Sequence, residues 1–209
     1  MKYFIDTEFK EKPNTIDLIS IGIVCEDGRE YYAINKDFNL KEVWKDEWLR
    51  ENVLLPIYKE HIHGDMRNHV SFSKSAIKAI LKGFGKSIEQ IATEIKEFCY
   101  YSYSEAQIEN ANIQFYGYYA DYDWVVFCWI FGRMICLPKG FPMYCIDLKQ
   151  ILDEKAIIYD DDPYTQLDLK GKIKYLKTNS NYPEEINEHN SLADAKWNYK
   201  LYEFLKSIK

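Results

Sequence analysis

The chain has 209 residues, 47% of them hydrophobic, which suits one domain with ample material for a core. Its formal net charge of −6 argues against a protein that holds duplex nucleic acid by bulk electrostatics, but not against an enzyme that binds a nucleic-acid end. No apolar run approaches the roughly 18 residues that span a bilayer, and no signal-peptide pattern opens the sequence. The five scattered cysteines lack zinc-site spacing, so a cytoplasmic protein with reduced thiols is expected.

The N-terminal sequence predicts three antiparallel strands. The first covers residues 2–5 and is followed by a polar link over residues 10–15. The second strand, 18–24, is rich in β-branched residues, and the third covers 30–35. An Asp-Gly pair at 27–28 is typical of the tight hairpin between them.

Helical periodicity then alternates with short strands. Helices are expected at residues 40–53, 73–82, 88–101, 121–131, 147–154, 167–176 and 191–208, and strands at 113–119 and 143–146. Antiparallel strands followed by strands that alternate with helices predict an α/β fold with a mixed central sheet flanked by helices. No repeat or interdomain linker interrupts this order, so residues 1–209 are interpreted as a single domain.

The first strand ends in two carboxylates, Asp6 and Glu8, with one residue between them. Residues i and i+2 of a strand point to the same face, so these side chains should lie side by side. Two close like charges raise each other's pKa unless a cation offsets them. The pair therefore indicates either a divalent-metal site at a sheet edge or a solvated strand end.

Two later segments could complete such a site. Asp121 and Asp123 stand where a strand passes into a helix, and either acid could be the third ligand, with Asp121 also suited to cap the helix. Asp194 falls on the apolar stripe of the last helix, where an acid needs a partner, although Ser191 and Asp194 also fit a capping box. His189 lies just before that helix. It is either a general base, since imidazole exchanges protons near neutral pH, or an ordinary loop residue.

The order of these pieces resembles the DEDDh exonucleases, which have the RNase H-like fold. They share Asp-x-Glu on the first strand, an aromatic residue followed by Asp at a mid-chain helix, and His-x4-Asp at the final helix. The matching residues are Asp6, Glu8, Asp123, His189 and Asp194. Asp-Thr-Glu-Phe at 6–9 and Leu-Ala-Asp-Ala at 192–195 are most similar to the bacterial RNase AS-like 3′→5′ exoribonucleases. Regions 54–86 and 155–186 are longer than the core fold requires and are interpreted as family-specific insertions.

The resemblance implies a 3′→5′ exoribonuclease that degrades single-stranded RNA ends to nucleoside 5′-monophosphates with two Mg²⁺ or Mn²⁺ ions. The implied metal ligands are Asp6, Glu8, Asp123 and Asp194. His189 would take the proton of the attacking water. Thr7 and Phe9 are candidates for substrate binding, with Phe9 lining the terminal base. Related enzymes are often homodimers, which makes a homodimer the candidate assembly.

Two other functions stay open at this point. The chain could be a 3′→5′ DNA exonuclease, or a catalytically silent nucleic-acid-binding module of the same fold. A basic strip on the helix predicted at 167–176 either contacts a nucleic-acid backbone or forms a solvated face. Its members are Lys170, Lys172, Lys174 and Lys177.

Overall fold

A five-stranded mixed sheet forms the centre of the computed structural model, which describes residues 1–62, 70–158, 167–184 and 189–208. The strands lie in the order β3-β2-β1-β4-β5. Their bounds are β1 Lys2–Lys12, β2 Thr15–Cys25, β3 Glu30–Ile34, β4 Gln114–Gly117 and β5 Ile146–Asp147. The first three strands pair antiparallel, whereas β4 pairs parallel with both β1 and β5. The predicted α/β class with a mixed sheet is confirmed and is consistent with an RNase H-like fold.

The helices are α1 Leu40–Lys45, α2 Glu47–Leu49, α3 Leu55–His61, α4 Lys74–Phe84, α5 Ile88–Tyr100, α6 Glu105–Ile108, α7 Asp121–Ile130, α8 Leu148–Ile158, α9 Leu169–Leu176 and α10 Ser191–Ser207. Most lie close to their predicted positions, but α3 and α6 were not predicted, and the single helix predicted at 40–53 is divided between α1, α2 and the turn that follows. A π-helical turn, Arg50–Leu54, joins α2 to α3, and a 3-10 turn covers Met134–Cys136. No helix within the described ranges is both long and apolar enough to cross a membrane.

The predicted polar link over residues 10–15 is wrong in its length. β1 extends to Lys12 and β2 begins at Thr15, so the link is the tip of a long hairpin. Asn14 occupies the turn with a φ of 62°, a left-handed conformation that asparagine tolerates better than most residues. The polarity of the segment reflects its exposure beyond the sheet's core.

β1 lies in the middle of the sheet, and its side chains alternate between two apolar cores. Tyr3 and Ile5 are fully buried on the face covered by α5 and α7. Phe4 is fully buried on the opposite face, against α8 and α10. This alternation decides which residues at the end of the strand can meet α10 and which can meet α7.

α10 packs unusually close to β1 and β2. A Cβ added to Gly22 would lie 2.2 Å from the backbone oxygen of Ser191, so only glycine permits this approach. The hydroxyls of Ser20 and Ser191 are hydrogen-bonded at 3.1 Å, and the Asn198 amide donates to the carbonyl of Ile5 at 2.9 Å. These buried contacts fix the start of α10 over the sheet.

The two regions interpreted as insertions contain helices that extend the cores. Region 54–86 holds α3 and α4, which pack through Ile57, Ile77 and Ile80 in a third apolar cluster beside β3. Region 155–186 holds α9, whose Leu176 packs in the core shared by α8 and α10. Residues 63–69, 159–166 and 185–186 of these regions lie outside the described residues. The interpretation as family-specific insertions stays a prediction.

Candidate active site

Three carboxylates from the two ends of the chain meet on one face of β1. Asp6 and Glu8 lie on the same face of β1 as Phe4 and point towards α10. Asp194 lies in the first turn of that helix. One carboxylate oxygen from each of the three lies within 4.8 Å of those from the other two. Separations of this size allow one cation to contact several of the oxygens.

Asp123 is brought to the same strand from its other side. Its carboxylate Oδ1 accepts hydrogen bonds from the backbone N–H of Thr7 at 2.8 Å and from the Thr7 hydroxyl at 2.5 Å. Asp123 is buried, with 8% of its surface exposed. Although it is not among the three mutually closest acids, its charge contributes to the raised pKa values of both Asp6 and Glu8.

Asp121 differs from Asp123 although both lie in the first turn of α7. Asp121 is exposed and provides no side-chain cap, so the prediction that it caps the helix is wrong. The residue before α7, Ala120, instead donates its N–H to Asp147 Oδ2 at 2.8 Å. An acid from β5 thus fixes the residue before the helix, α7 has no side-chain cap, and Asp121 remains exposed.

Burial and mutual repulsion make the carboxylates of this site hard to ionise together. Burial, followed by the charges of its acidic neighbours, raises the pKa of Asp6 well above its usual range. The same causes raise the pKa of Glu8 to about 8. Burial raises the pKa of Asp123 to about 6, opposed by the hydrogen bonds from Thr7.

The donor set fits a hard divalent cation. Asp6, Glu8 and Asp123 form no ion pair with any lysine, arginine or histidine in the part of the chain that the structure describes. Buried carboxylates without a basic partner are neutralised by protons or by a metal ion. Mg²⁺ and Mn²⁺ prefer such oxygen ligands.

His189 lies next to Asp194 at the entrance to α10. Its backbone N–H donates to Asp194 Oδ2 at 2.9 Å, and its φ of 66° places the residue in the left-handed region. The imidazole ring makes an edge-to-face contact with the ring of Trp48, with 70° between the ring planes and 4.6 Å between the centroids. Asp194 therefore holds the backbone of His189, and Trp48 on α2 contacts its ring.

The predicted capping box at Ser191 and Asp194 is wrong by one residue. The N-cap is Asn190, whose side-chain oxygen accepts from the N–H of Ala193 at 3.1 Å. Ser191 is fully buried against Ser20 instead. Asp194 is consequently not needed to cap the helix, which leaves its carboxylate directed to His189 and the other acids.

The two candidates for substrate binding lie on the α7 side of the strand. Thr7 is 5% exposed and its hydroxyl donates to Asp123, and that it binds substrate stays a prediction. Phe9 is half-buried and stacks on Tyr122, with 6.0 Å between ring centroids. A bulge between Glu8 and Phe9 shifts the register with β2 at this point. That Phe9 lines the terminal base stays a prediction.

Two residues near the site are not among the site residues predicted from the sequence. Asp147 stands where a strand passes into a helix, as Asp123 does, so the same pattern would have found it. Trp48 had no such signal, because its contact with His189 joins segments far apart in the chain.

Comparisons with known proteins identify the family of the chain. A family model described as the Rv2179c-like 3′-5′ exoribonuclease domain matches residues 1–205. Two relatives from Mycobacterium tuberculosis are each 30% identical over 156 residues, or 75% of this chain and 76% of theirs. They are the 3′-5′ exoribonuclease MT2234.1 of strain CDC 1551 / Oshkosh and the 3′-5′ exoribonuclease Rv2179c of strain ATCC 25618 / H37Rv. The chain therefore belongs to the Rv2179c-like 3′-5′ exoribonuclease domain family.

Proposed function

We propose that this protein is a metal-dependent 3′→5′ exoribonuclease of the DEDDh type, closest to the RNase AS-like branch. It would hydrolyse single-stranded RNA from the 3′ end and release nucleoside 5′-monophosphates. The observation that carries the proposal is the meeting of the Asp6, Glu8 and Asp194 carboxylates within 4.8 Å of one another, next to His189. Membership of an exoribonuclease family supports RNA over DNA as the substrate.

Two Mg²⁺ or Mn²⁺ ions are the proposed cofactors. The residues that would hold them are Asp6, Glu8, Asp123 and Asp194. When bound, such ions supply an activated water and stabilise the leaving 3′-oxygen during in-line displacement at phosphorus. The carboxylates must be ionised to act as ligands, and the raised pKa values of Asp6, Glu8 and Asp123 mean that metal binding has to displace protons there.

His189 is the proposed general base. Its hydrogen bond to Asp194 anchors its backbone beside a ligand carboxylate, and Trp48 restricts the tilt of its ring. An imidazole held in this way can accept the proton of an attacking water and then release it to solvent. Thr7 supports the chemistry indirectly by orienting the Asp123 carboxylate.

A homodimeric state and a cytoplasmic location stay predictions. Size measurement in solution checks the first, and fractionation of cells checks the second.

The deciding experiment compares neighbouring acids on α7. End-labelled single-stranded RNA is incubated with Mn²⁺ and wild-type protein, Asp123→Asn or Asp121→Asn. We expect stepwise shortening from the 3′ end by the wild type and by Asp121→Asn, a loss of at least 100-fold in Asp123→Asn, and no shortening by any of the three in excess chelator. The pair is matched because both substitutions remove one carboxylate from the same helical turn, yet only Asp123 is buried beside Thr7.

Other outcomes would support the competing functions. Faster degradation of a DNA oligonucleotide of the same sequence would favour a DNA exonuclease. Binding of RNA without turnover in Mn²⁺ would favour a catalytically silent module. Equal activity of both variants would contradict the proposed ligand set.

A further inference from the structure

A groove of about 600 Å³ lies beside the candidate active site, between the end of β4 and helix α9. We name it the α9 groove. It begins close to the acids, because Tyr119 precedes α7 by two residues and Asp123 lies in the first turn of that helix. The groove is lined by Tyr118, Tyr119, Lys149, Asp168, Leu169, Lys170, Ile173 and Lys177.

The α9 groove carries more positive than negative charge. Lys170 and Lys177 are exposed and form no ion pair with any described residue, and Lys177 lies over the ring of Tyr182. Lys149 pairs with Asp153. Asp168, the one acid among the described lining residues, accepts the N–H of Gly171 at 2.8 Å and caps α9. Two lysines are thus left to bind an anion.

An aromatic ring stands at the mouth of the α9 groove nearest the acids. Tyr119 is 62% exposed, and Lys149 Nζ lies 5.7 Å from its ring centroid. Its φ of 54° is uncommon for a bulky residue and is held in place by the hydrogen bond from Ala120 to Asp147. Strained backbone conformations of this kind cluster at active sites and ligand contacts.

We propose that the α9 groove binds the single-stranded RNA upstream of the bond being cut. Lys170 and Lys177 contact backbone phosphates, and Tyr119 stacks on a base. A single strand combines repeated negative charge with aromatic faces, which is the chemistry that lysines interleaved with an exposed ring recognise. This inference rests on the proposed exoribonuclease function and extends it from the cleaved bond to the rest of the strand.

A second groove, between α3 and α10, fits the strand less well. It contains Lys59, Lys196 and Lys200, but also Glu60 and Glu184. Lys196 is paired with Glu30 at 2.7 Å, which leaves two lysines against two acids. Its aromatic residue, Trp197, is buried and donates its indole N–H to Pro183.

The test compares substrates that differ in the number of phosphates. A dinucleotide has one phosphodiester, and this group must occupy the candidate active site. A decamer has further phosphates that can enter the groove. We expect Lys170→Gln/Lys177→Gln to cut the dinucleotide at the wild-type rate and to lower kcat/KM on the decamer at low salt. The control Lys78→Gln/Lys82→Gln removes the same charge from exposed sites on α4, outside the groove.

Salt provides a second readout. Each phosphate contact to a single strand contributes about 0.7 to the slope of log affinity against log salt, so two lost contacts remove about 1.4. Raising salt from about 50 to about 200 mM should therefore lower decamer kcat/KM about sevenfold more for the wild type and the control than for the groove variant. Tyr119→Asn, which keeps the backbone conformation accessible, should weaken decamer cleavage without changing the salt slope.

Each contrary result is distinct. The inference would be overturned if the groove variant kept the wild-type salt dependence. It would also be overturned if the weaker salt dependence appeared instead in Lys59→Gln/Lys200→Gln, which changes the second groove. A dinucleotide rate that falls as far as the decamer rate would also overturn it, because the lysines would then act on the fold or on the catalytic site. Failure of the wild type to cut either substrate would contradict the proposed function itself.

Discussion

The Thr7 hydroxyl orients a carboxylate that comes from another part of the chain. Thr7 and Asp123 are 116 positions apart, and the hydroxyl and the backbone N–H of the threonine reach the same carboxylate oxygen. One oxygen of Asp123 is therefore fixed, which leaves the other to face the site. Groups that orient a metal ligand typically change metal affinity or activity by about 10–100-fold when they are lost, and Thr7 would have this role towards the proposed ligand Asp123.

Replacing Thr7 should therefore weaken metal-dependent activity. We expect Thr7→Val to lower Mn²⁺ affinity or the cleavage rate by about 10–100-fold, because the freed carboxylate loses its orientation. Its pKa should also rise above about 6, since hydrogen bonds from Thr7 now lower it. Rates measured across a Mn²⁺ titration check this. Thr7→Ser keeps the hydroxyl and should stay near wild type, and wild-type Mn²⁺ dependence in Thr7→Val would contradict the assignment.

Trp48 offers a separate test of how His189 is held. The ring contact predicts that Trp48→Ala lowers kcat by about tenfold, a part of the roughly 10²–10⁴-fold that a positioned proton-transfer group contributes, while KM changes little. Trp48→Phe, which keeps an aromatic face, should recover most of the loss. Steady-state kinetics on a short RNA decide the matter. A rise in KM with unchanged kcat would mean that the tryptophan, which is 51% exposed, contacts substrate instead.

At the scale of elements, the site depends on how closely α10 approaches the sheet. Gly22→Ala would place a Cβ 2.2 Å from the backbone oxygen of Ser191 and 2.4 Å from the Cα of Leu192. Because both are backbone atoms, α10 itself must move, and Asp194 with it. Overpacking of this kind costs about 1–3 kcal/mol, and each kcal/mol lowers Tm by about 2–4 °C in a chain of this size.

We therefore expect Gly22→Ala to lower both Tm and activity. The matched control is Gly83→Ala on α4, where an added Cβ meets nothing within 4 Å. That substitution should raise stability by up to about 1 kcal/mol, since alanine favours a helix over glycine, and should leave activity unchanged. Thermal melts and cleavage assays of the two variants provide the measurement. Equal Tm values and equal cleavage rates for Gly22→Ala and Gly83→Ala would contradict the argument.

The local parts of the fold were predictable, whereas the contacts between distant segments were not. Helical periodicity predicted α5 and α10 within one residue of their observed ends, and the Asp-Gly pair predicted the β2–β3 hairpin. The cap of α10 was misplaced because asparagine and serine are equally good caps, and the buried contact between Ser191 and Ser20 decided between them. Alternation along β1 predicted that Asp6 and Glu8 share a face.

The choice between Asp121 and Asp123 could not be made from local pattern alone. Both acids lie in the same turn, and what separates them is burial against Thr7, a contact across the fold. The contact between Trp48 and His189 likewise joins a helix after β3 to the loop before α10. Periodicity describes an element's own faces and carries no information about which distant side chain will meet them.

At the scale of the whole molecule, the acids should make the stability of metal-free protein depend on pH. Folding raises the carboxyl pKa of Glu8 from 4.5 to about 8 and that of Asp123 from 3.8 to about 6. A raised carboxyl pKa means that the folded state binds more protons than the unfolded state. The free energy of unfolding is therefore highest below about pH 4 on account of these groups and falls as pH rises towards 8.

We expect the Tm of metal-free protein to be lower at pH 8 than at pH 5, and Mn²⁺ to reduce the difference. Glu8→Gln should flatten the dependence, because the amide cannot ionise, and should raise the metal-free Tm at pH 8. Thermal melts in chelator and in Mn²⁺ at the two pH values provide the measurement. A metal-free Tm that rises from pH 5 to pH 8, with Glu8→Gln behaving as wild type, would contradict the electrostatic account of the site.

The close seating of α10 on β1 also has a consequence for synthesis. The amide of Asn198 bonds to the carbonyl of Ile5, a partner 193 positions earlier, and the same helix delivers Asp194 and follows His189. While the ribosome is still translating the middle of the chain, β1 has emerged but its final acid and its histidine have not. On the proposed mechanism, a nascent chain lacks two of the residues needed for cleavage until α10 has been made, so it would not cut the messenger from which it is being read. Cleavage would begin only after α10 has left the ribosome and docked on β1 and β2.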